Sequence, residues 1–252
     1  MTSLADRGIA ALRAEHDGLV AFSSDRLGSP SGASDWTVAQ VFSHLGSGAE
    51  IARAGLGGES GPDFNRSVWD RWDAMSPEEQ AAGWRESDEK LVAAFEALTP
   101  EQRETLTLNP GFLPEPIPLA SIAGLRLNEV AFHSWDIRVG TDPAAGLTDS
   151  SAPLLAEHLS GGLGFLLGFI AKPDLAGEPA VIDLAGTPYR VVLGDNSRLT
   201  TDAVPATATF EGPLEAGLRL LVGRLGPEHT PATVRVTGNV TLDQLRAAFP
   251  GF

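Results

Sequence analysis

Residues 127–140 read LNEVAFHSWDIRVG. In a helix, Glu129 and His133 stand four apart on one face, with Arg126 three before and Asp136 three after. The opposite face offers Leu125, Phe132 and Val139 to a core. Upstream, LASIAGLR carries the helix back to residue 119, while Gly140 and Pro143 mark its end. A row of four ionisable groups on such a helix has two readings. It either faces water, as a solvated glutamate beside a core histidine, or it lines a site.

The chain before this helix also reads helical. LADRGIAALRAEHDGLVAF places Ile9, Leu12, His16 and Leu19 at steps of three and four, one face of a first helix. GSPSGAS breaks it, and DWTVAQVFSHLGSGAE opens a second. There Thr37 and Gln40 form a capping box, Trp36 and Val41 flank it as a hydrophobic staple, and Val38, Val41, Phe42 and Leu45 supply the apolar face. GLGGESGPDFNRSVW reads as a loop. SPEEQAAGWRESDEKLVAAFEAL is a third long helix, with Ser76 as cap, Pro77 at the first helical position and Glu79 completing the box. TPEQRETL begins a short helix and NPGFLPEPIP is a proline-rich loop. Four main helices joined by loops predict an antiparallel bundle, a fold that builds sites from inward-facing side chains.

The texture changes near residue 147. SSAPLLAEHLSGGLGFLLGFI reads as one helix; AVIDLAG, YRVVLG, ATATFEG and ATVRVTGN read as strands. PLEAGLRLLVGRL and TLDQLRAAF read as helices, the latter opened by a capping box at Thr241 and Gln244. With GTDPAAGLTDSS as the boundary, the expectation is an α+β protein: a helical bundle over residues 1–146 and an α+β domain over 147–252.

Composition narrows the function. The 252 residues carry 18 basic against 33 acidic side chains, a formal charge of -15, which repels phosphate backbones and anionic membrane surfaces. Neither a run of 18 apolar residues nor a basic-then-apolar leader is present, so a cytoplasmic protein with no nucleic-acid or membrane partner is expected, as monomer or homodimer. With no cysteine there is no disulfide, no thiolate metal ligand and no cysteine nucleophile; any sulfur chemistry needs an external thiol. Only five histidines exist: His16, His44, His133, His158 and His229.

Glu129 and His133 form an E-x3-H pair, able to reach one ion from a single helix face. A third ligand must come from another element, and His44 on the second long helix is the best placed. Two histidines and one carboxylate leave positions open, the catalytic pattern for zinc. The same set also forms the iron facial triad of oxygenases and can serve hydrolysis.

WTVAQVFSHL followed by NEVAFHSWDIRVG resembles the mycothiol-dependent maleylpyruvate isomerase family, within the wider DinB-like group of metal-binding four-helix bundles. Trp36, His44, Leu45, Glu129, His133, Trp135 and Asp136 carry the resemblance. It implies that His44, Glu129 and His133 are the metal ligands, and that mycothiol or another low-molecular-weight thiol is the cosubstrate. The second half, ending RVTGNVTLDQLRAAFPGF, is similar to the family's sterol-carrier-like C-terminal domain. The implied activity is a zinc-type, metal-dependent enzyme that adds a thiolate to a small electrophile, as S-transferase or as cis-trans isomerase. A non-catalytic ligand-binding module stands as an alternative.

Several other residues have a functional and a plain reading. Asp136 either holds a ligand imidazole by its free N–H or caps the last turn or pairs with Arg138. Arg126 either binds an anionic substrate or cofactor carboxylate or pairs with an acidic side chain. Arg224, in LLVGRLG, resembles a Gly-Arg motif of the family that implies substrate or thiol contact; its plain reading is an arginine complementing a helix C-terminus. His16 reads as a buried, hydrogen-bonded core histidine. Trp69, Trp72 and Trp84 read as packing residues, and GGLGFLLGF follows a helical pattern rather than a strand, which rules out a nucleotide loop.

Overall fold

The computed structural model describes residues 2–22, 24–33, 35–59 and 61–251; Ser34, within the expected break GSPSGAS, lies outside them. The chain divides after Asp142 into two compact units, inside the Gly- and Pro-containing segment and ahead of residue 147.

The first unit is built on four long helices: α1 (Leu4–Val20), α2 (Val38–Leu56), α4 (Pro77–Glu96) and α6 (Leu119–Val139). Ile9, Leu12, His16 and Leu19 of α1 are all buried, as their spacing requires. Capping boxes start three of these helices, at Ser3 with Asp6, Thr37 with Gln40, and Ser76 with Glu79. α2 packs chiefly on α4, and α6 chiefly on α1; α1 also meets α4, and α2 meets α6. α6 is buried almost all round, which is why its apolar residues show no single-face pattern.

Two smaller helices complete the unit. Pro100–Thr105 forms the expected short α5, capped by Thr99 and Gln102. The segment read as a loop holds instead a helix, α3 (Pro62–Asp73). It buries Val68 and Trp72, an i, i+4 pair, with proline at its start. The Trp72 ring fills a slot that Gly46 of α2 and Gly83 of α4 leave open, and its Nε1 donates to Glu50 Oε2 at 3.0 Å. The proline-rich loop is closed at its base by a two-residue antiparallel pair, β1 (Thr107–Leu108) with β2 (Ile117–Pro118).

The second unit is α+β. Its five-stranded sheet has the order β5-β4-β3-β6-β7, with β3 (Ala180–Leu184), β4 (Arg190–Leu193), β5 (Arg198–Thr200), β6 (Ala208–Glu211) and β7 (Arg235–Gly238). Only β3 and β6 run parallel. Ala180, Ile182 and Leu184 alternate inward along β3, and Val191 and Leu193 do so along β4. β5 was not expected from the sequence; three residues give too short an alternation to read. The segment expected as one helix is two, α7 (Ala152–Leu159) and α8 (Leu166–Ile170), because Gly161, Gly162 and Gly164 interrupt it. α9 (Leu214–Leu221) lays Gly217 against Leu184 and Phe210 of the sheet, and α10 (Leu242–Ala248) begins with the Thr241–Gln244 box. Among the described residues no helix is long and apolar enough to cross a membrane.

Candidate metal centre

α2 and α6 bring three ligand-type side chains together. His44 Nε2 lies 3.0 Å from Glu129 Oε2, and His133 Nε2 lies 3.8 Å from the same oxygen. One ligand atom from each residue falls within 4.8 Å of the other two. Metal–ligand bonds of about 2.1 Å in a tetrahedral arrangement separate ligand atoms by roughly 3.4 Å, a value the two distances bracket. The donor set therefore fits a divalent ion of the zinc or iron type, with positions left for other molecules.

The polar row of α6 is not a solvated face. Arg126 and Asp136 are buried, His133 keeps 12% of its side-chain surface, and only Glu129 is open, at 46%. Desolvation among the surrounding protein atoms would raise the Glu129 carboxyl. The hydrogen bond from His44, with the charges of His133, His44 and Arg126, overcomes it and holds the group at about 2. Glu129 is thus an anion throughout the neutral range.

Asp136 fixes the second imidazole. Its Oδ2 lies 2.8 Å from His133 Nδ1, and since a carboxylate only accepts, Nδ1 donates and Nε2 is the nitrogen turned toward Glu129. Asp136 is itself fully buried. Its backbone carbonyl accepts from Gly32 N at 2.8 Å, and a side chain at Gly32 would collide with Val139, Trp135 and Asp136. The same loop folds back on itself: Ser31 donates to the Trp36 carbonyl, and Val38 N donates to the Ser29 carbonyl. Trp36 is delivered in this way to the His44–Glu129–His133 cluster. Its ring stacks on His133 at 6.0 Å and lies 5.2 Å from His44, 37% exposed, as an aromatic wall beside both imidazoles. Sequence reasoning placed Trp36 as a staple residue and among the residues that carry the family resemblance, but gave it no role at the site; its position in the turn before His44's helix was the available signal.

Arg126 is committed inside the bundle. It is 7% exposed, and its Nη2 donates to Asp88 Oδ1 at 2.7 Å and to the Leu45 carbonyl at 2.9 Å. The plain reading, a partner for an acidic side chain, describes this placement. Asp88 was not singled out from sequence. Burial would raise its carboxyl, but His16 and Arg126 hold it below the usual carboxylate range. His16 is buried as expected, its Nδ1 donating to Asp88 Oδ2 at 2.9 Å, with Trp84 packed against the ring at 5.4 Å.

Arg224 lies in the second unit, after α9. Gly223 has a φ of +74° and sits so close to the backbone of Pro250 and Gly251 that no side chain fits there, which accounts for glycine before the arginine. Arg224 Nη1 donates to the Val222 carbonyl at 3.4 Å. The buried arginine of this region is Arg219, paired with Glu215 through Nε at 2.7 Å and Nη2 at 3.1 Å and bonded to the His229 carbonyl. Of the three tryptophans read as packing, Trp72 and Trp84 are buried and Trp69 is exposed.

Comparison with known proteins bears on the same residues. Residues 9–138 match the family model described as mycothiol maleylpyruvate isomerase N-terminal domain. Two solved structures share the fold: a mycothiol-dependent maleylpyruvate isomerase, at TM-score 0.59, and a histidine-to-alanine mutant of that isomerase, at 0.60. Each is 14% identical over 94% of this chain and 96% of the other. No curated protein sequence matches significantly. The matched span runs from α1 to the last turn of α6 and takes in His44, Glu129 and His133, and the chain belongs to the mycothiol maleylpyruvate isomerase N-terminal domain family.

Proposed function

We propose that the protein is a metal-dependent enzyme using a low-molecular-weight thiol, mycothiol by family, on a small electrophilic substrate. The observation that carries this is the convergence of His44, Glu129 and His133 from two helices, with Asp136 orienting one imidazole behind them. A bound divalent ion, zinc first, would keep a ligated thiol deprotonated at neutral pH, where a free thiol of pKa about 8.5 is mostly protonated. With an ion bound, His44 and His133 would supply neutral nitrogens, and Glu129 would supply the one negative charge. Trp36 shields one side from water and offers a flat apolar surface to a substrate or thiol. Arg224 is the residue of the second unit that the resemblance recommends for substrate or thiol contact.

Isomerisation is the favoured reaction. The thiolate adds to an activated double bond, the resulting single bond rotates, and the thiolate is expelled with the double bond re-formed in the other geometry. S-transfer shares the addition and ends with the sulfur retained, the enolate left by addition taking up a proton from water. Purified protein should contain about one divalent ion per chain, and with thiol it should isomerise maleylpyruvate-type substrates or yield thiol conjugates detectable by mass. His44→Ala and His133→Ala should abolish both metal and turnover. Metal-free wild-type protein with full activity would sink the proposal. Iron with oxygen and 2-oxoacid dependence would favour the oxygenase reading on the same ligands, and a tight metal site with no thiol turnover would favour a binding module.

A further inference from the structure

The ligands of the metal centre sit on helices that belong to different pairs. His44 is on α2, which leans chiefly on α4; Glu129 and His133 are on α6, which leans chiefly on α1. The strongest packing in the bundle therefore does not set the spacing between His44 and its two co-ligands. A buried polar cluster joins all four helices. α1 contributes His16, α2 the carbonyl of Leu45, α4 Asp88 and α6 Arg126. Leu45 is the residue next to His44, and Arg126 lies one turn before Glu129. Arg126 Nη2 holds both the Leu45 carbonyl and Asp88, and His16 Nδ1 holds the other oxygen of Asp88.

The helix α2 is shaped around this cluster. Gly48 leaves room for the guanidinium: a methyl there would stand 3.1 Å from Arg126 Nη1. Stability alone is a weak reason for such a device. Buried ion pairs replaced by apolar residues of similar volume are often as stable or more so, because desolvation of the charges offsets their attraction. What apolar packing does not supply is a directional tie of fixed length between two particular helices.

We propose that the His16–Asp88–Arg126 cluster is a positioning device for the metal centre, setting the distance of His44 from Glu129 and His133 through the Leu45 carbonyl. This rests on the metal-binding reading above. None of the three residues is a ligand; they act through the backbone of α2 and α6. Removing the device leaves all three ligands present but loosely spaced, and metal affinity falls while the fold persists.

Zinc alone is the probe, titrated into metal-free full-length protein in competition with a chromogenic chelator, alongside thermal melting and circular dichroism. In His16→Leu/Asp88→Leu/Arg126→Met, every polar side chain of the cluster is replaced by an apolar one. That variant should melt at or above the wild-type temperature yet bind zinc at least about tenfold more weakly, the range seen when groups supporting metal ligands are removed. Gly48→Ala keeps every charge and favours the helix, but displaces Arg126; it should leave melting unchanged or raised and weaken zinc severalfold. A merely structural cluster would move stability and affinity together. If Gly48→Ala, and the triple variant where it folds, bind zinc within twofold of wild type, the proposal is wrong. If wild-type protein binds no divalent ion, the metal reading itself has failed, and the positioning role with it.

Discussion

In the proposed metal centre His133 offers Nε2, because its Nδ1 is held by Asp136 at 2.8 Å. The carboxylate is fully buried, so this bond is not diluted by water and selects one tautomer. Asp136→Asn keeps the shape and removes the charge; an amide can also donate, which would turn the proton to the wrong nitrogen. Zinc affinity should drop by about 10- to 100-fold with unchanged circular dichroism. Affinity within twofold of wild type would show that Asp136 does not support the ligand. Asp88 supports a prediction of a different kind. Its carboxyl is lowered in the folded state, so the native protein binds fewer protons than the unfolded chain in acid. The stability it contributes is present above its unfolded pKa of about 3.9 and is lost as pH falls through the lower folded value. Asp88→Asn, which leaves Arg126 buried without its charge partner, should cost about 3 kcal/mol near neutral pH. Wild-type and variant melting temperatures should then converge below about pH 4, and a gap that stays constant down to pH 2 would contradict this. Glu129, His133 and Asp136 were legible because helical spacing aligns them, and His44 because resemblance added to its place on α2. Asp88 and Trp36 were not, since the partners that give them meaning lie on remote segments.

At the level of elements, local signals proved the most legible. The boxes at Thr37, Ser76 and Thr241 satisfy first-turn amides whatever lies beyond, so the local residue spacing alone betrays them. α3 escaped because GLGGESGP reads as loop and because only Val68 and Trp72 of its twelve residues are buried. Its docking depends on two glycines of other helices, a tertiary fact with no local trace. The glycines that divide α7 from α8 were visible, but the apolar residues around them continued a helical pattern across the gap. The slot for Trp72 yields a direct test. A methyl at Gly46 would overlap the indole ring, with the Trp72 Nε1 bond to Glu50 limiting its retreat. Gly46→Ala should therefore destabilise by about 1–3 kcal/mol despite alanine's better helix propensity. Chemical denaturation decides it: a variant as stable as wild type would mean that α3 shifts freely and that the slot does not define its seat.

On the scale of the whole molecule, the division after Asp142 leaves the residues of the proposed metal centre on one side. His44, Glu129 and His133 belong to the first unit, as do Asp136, Trp36, His16, Asp88 and Arg126. All four long helices end before the division, and the last of them stops at Gly140. The unit contains its own core, from Leu12 and Leu19 through Val41, Leu45, Trp84 and Phe95 to Leu127 and Trp135. Its size lies within the range of domains that fold alone. A chain ending at Asp142 should therefore be helical, melt cooperatively and bind zinc within about threefold of the full chain, since each unit of log affinity corresponds to only 1.4 kcal/mol. The same fragment should lose turnover if Arg224 or its surroundings contribute to thiol or substrate, and Arg224→Met in the full chain should then lower kcat/KM while leaving zinc affinity unchanged. Two measurements separate the roles of the units: chelator competition for the metal, and steady-state kinetics with thiol and electrophile. A fragment that folds but fails to hold zinc, beside a full chain that does hold it, would mean that the first unit is not sufficient for the metal centre.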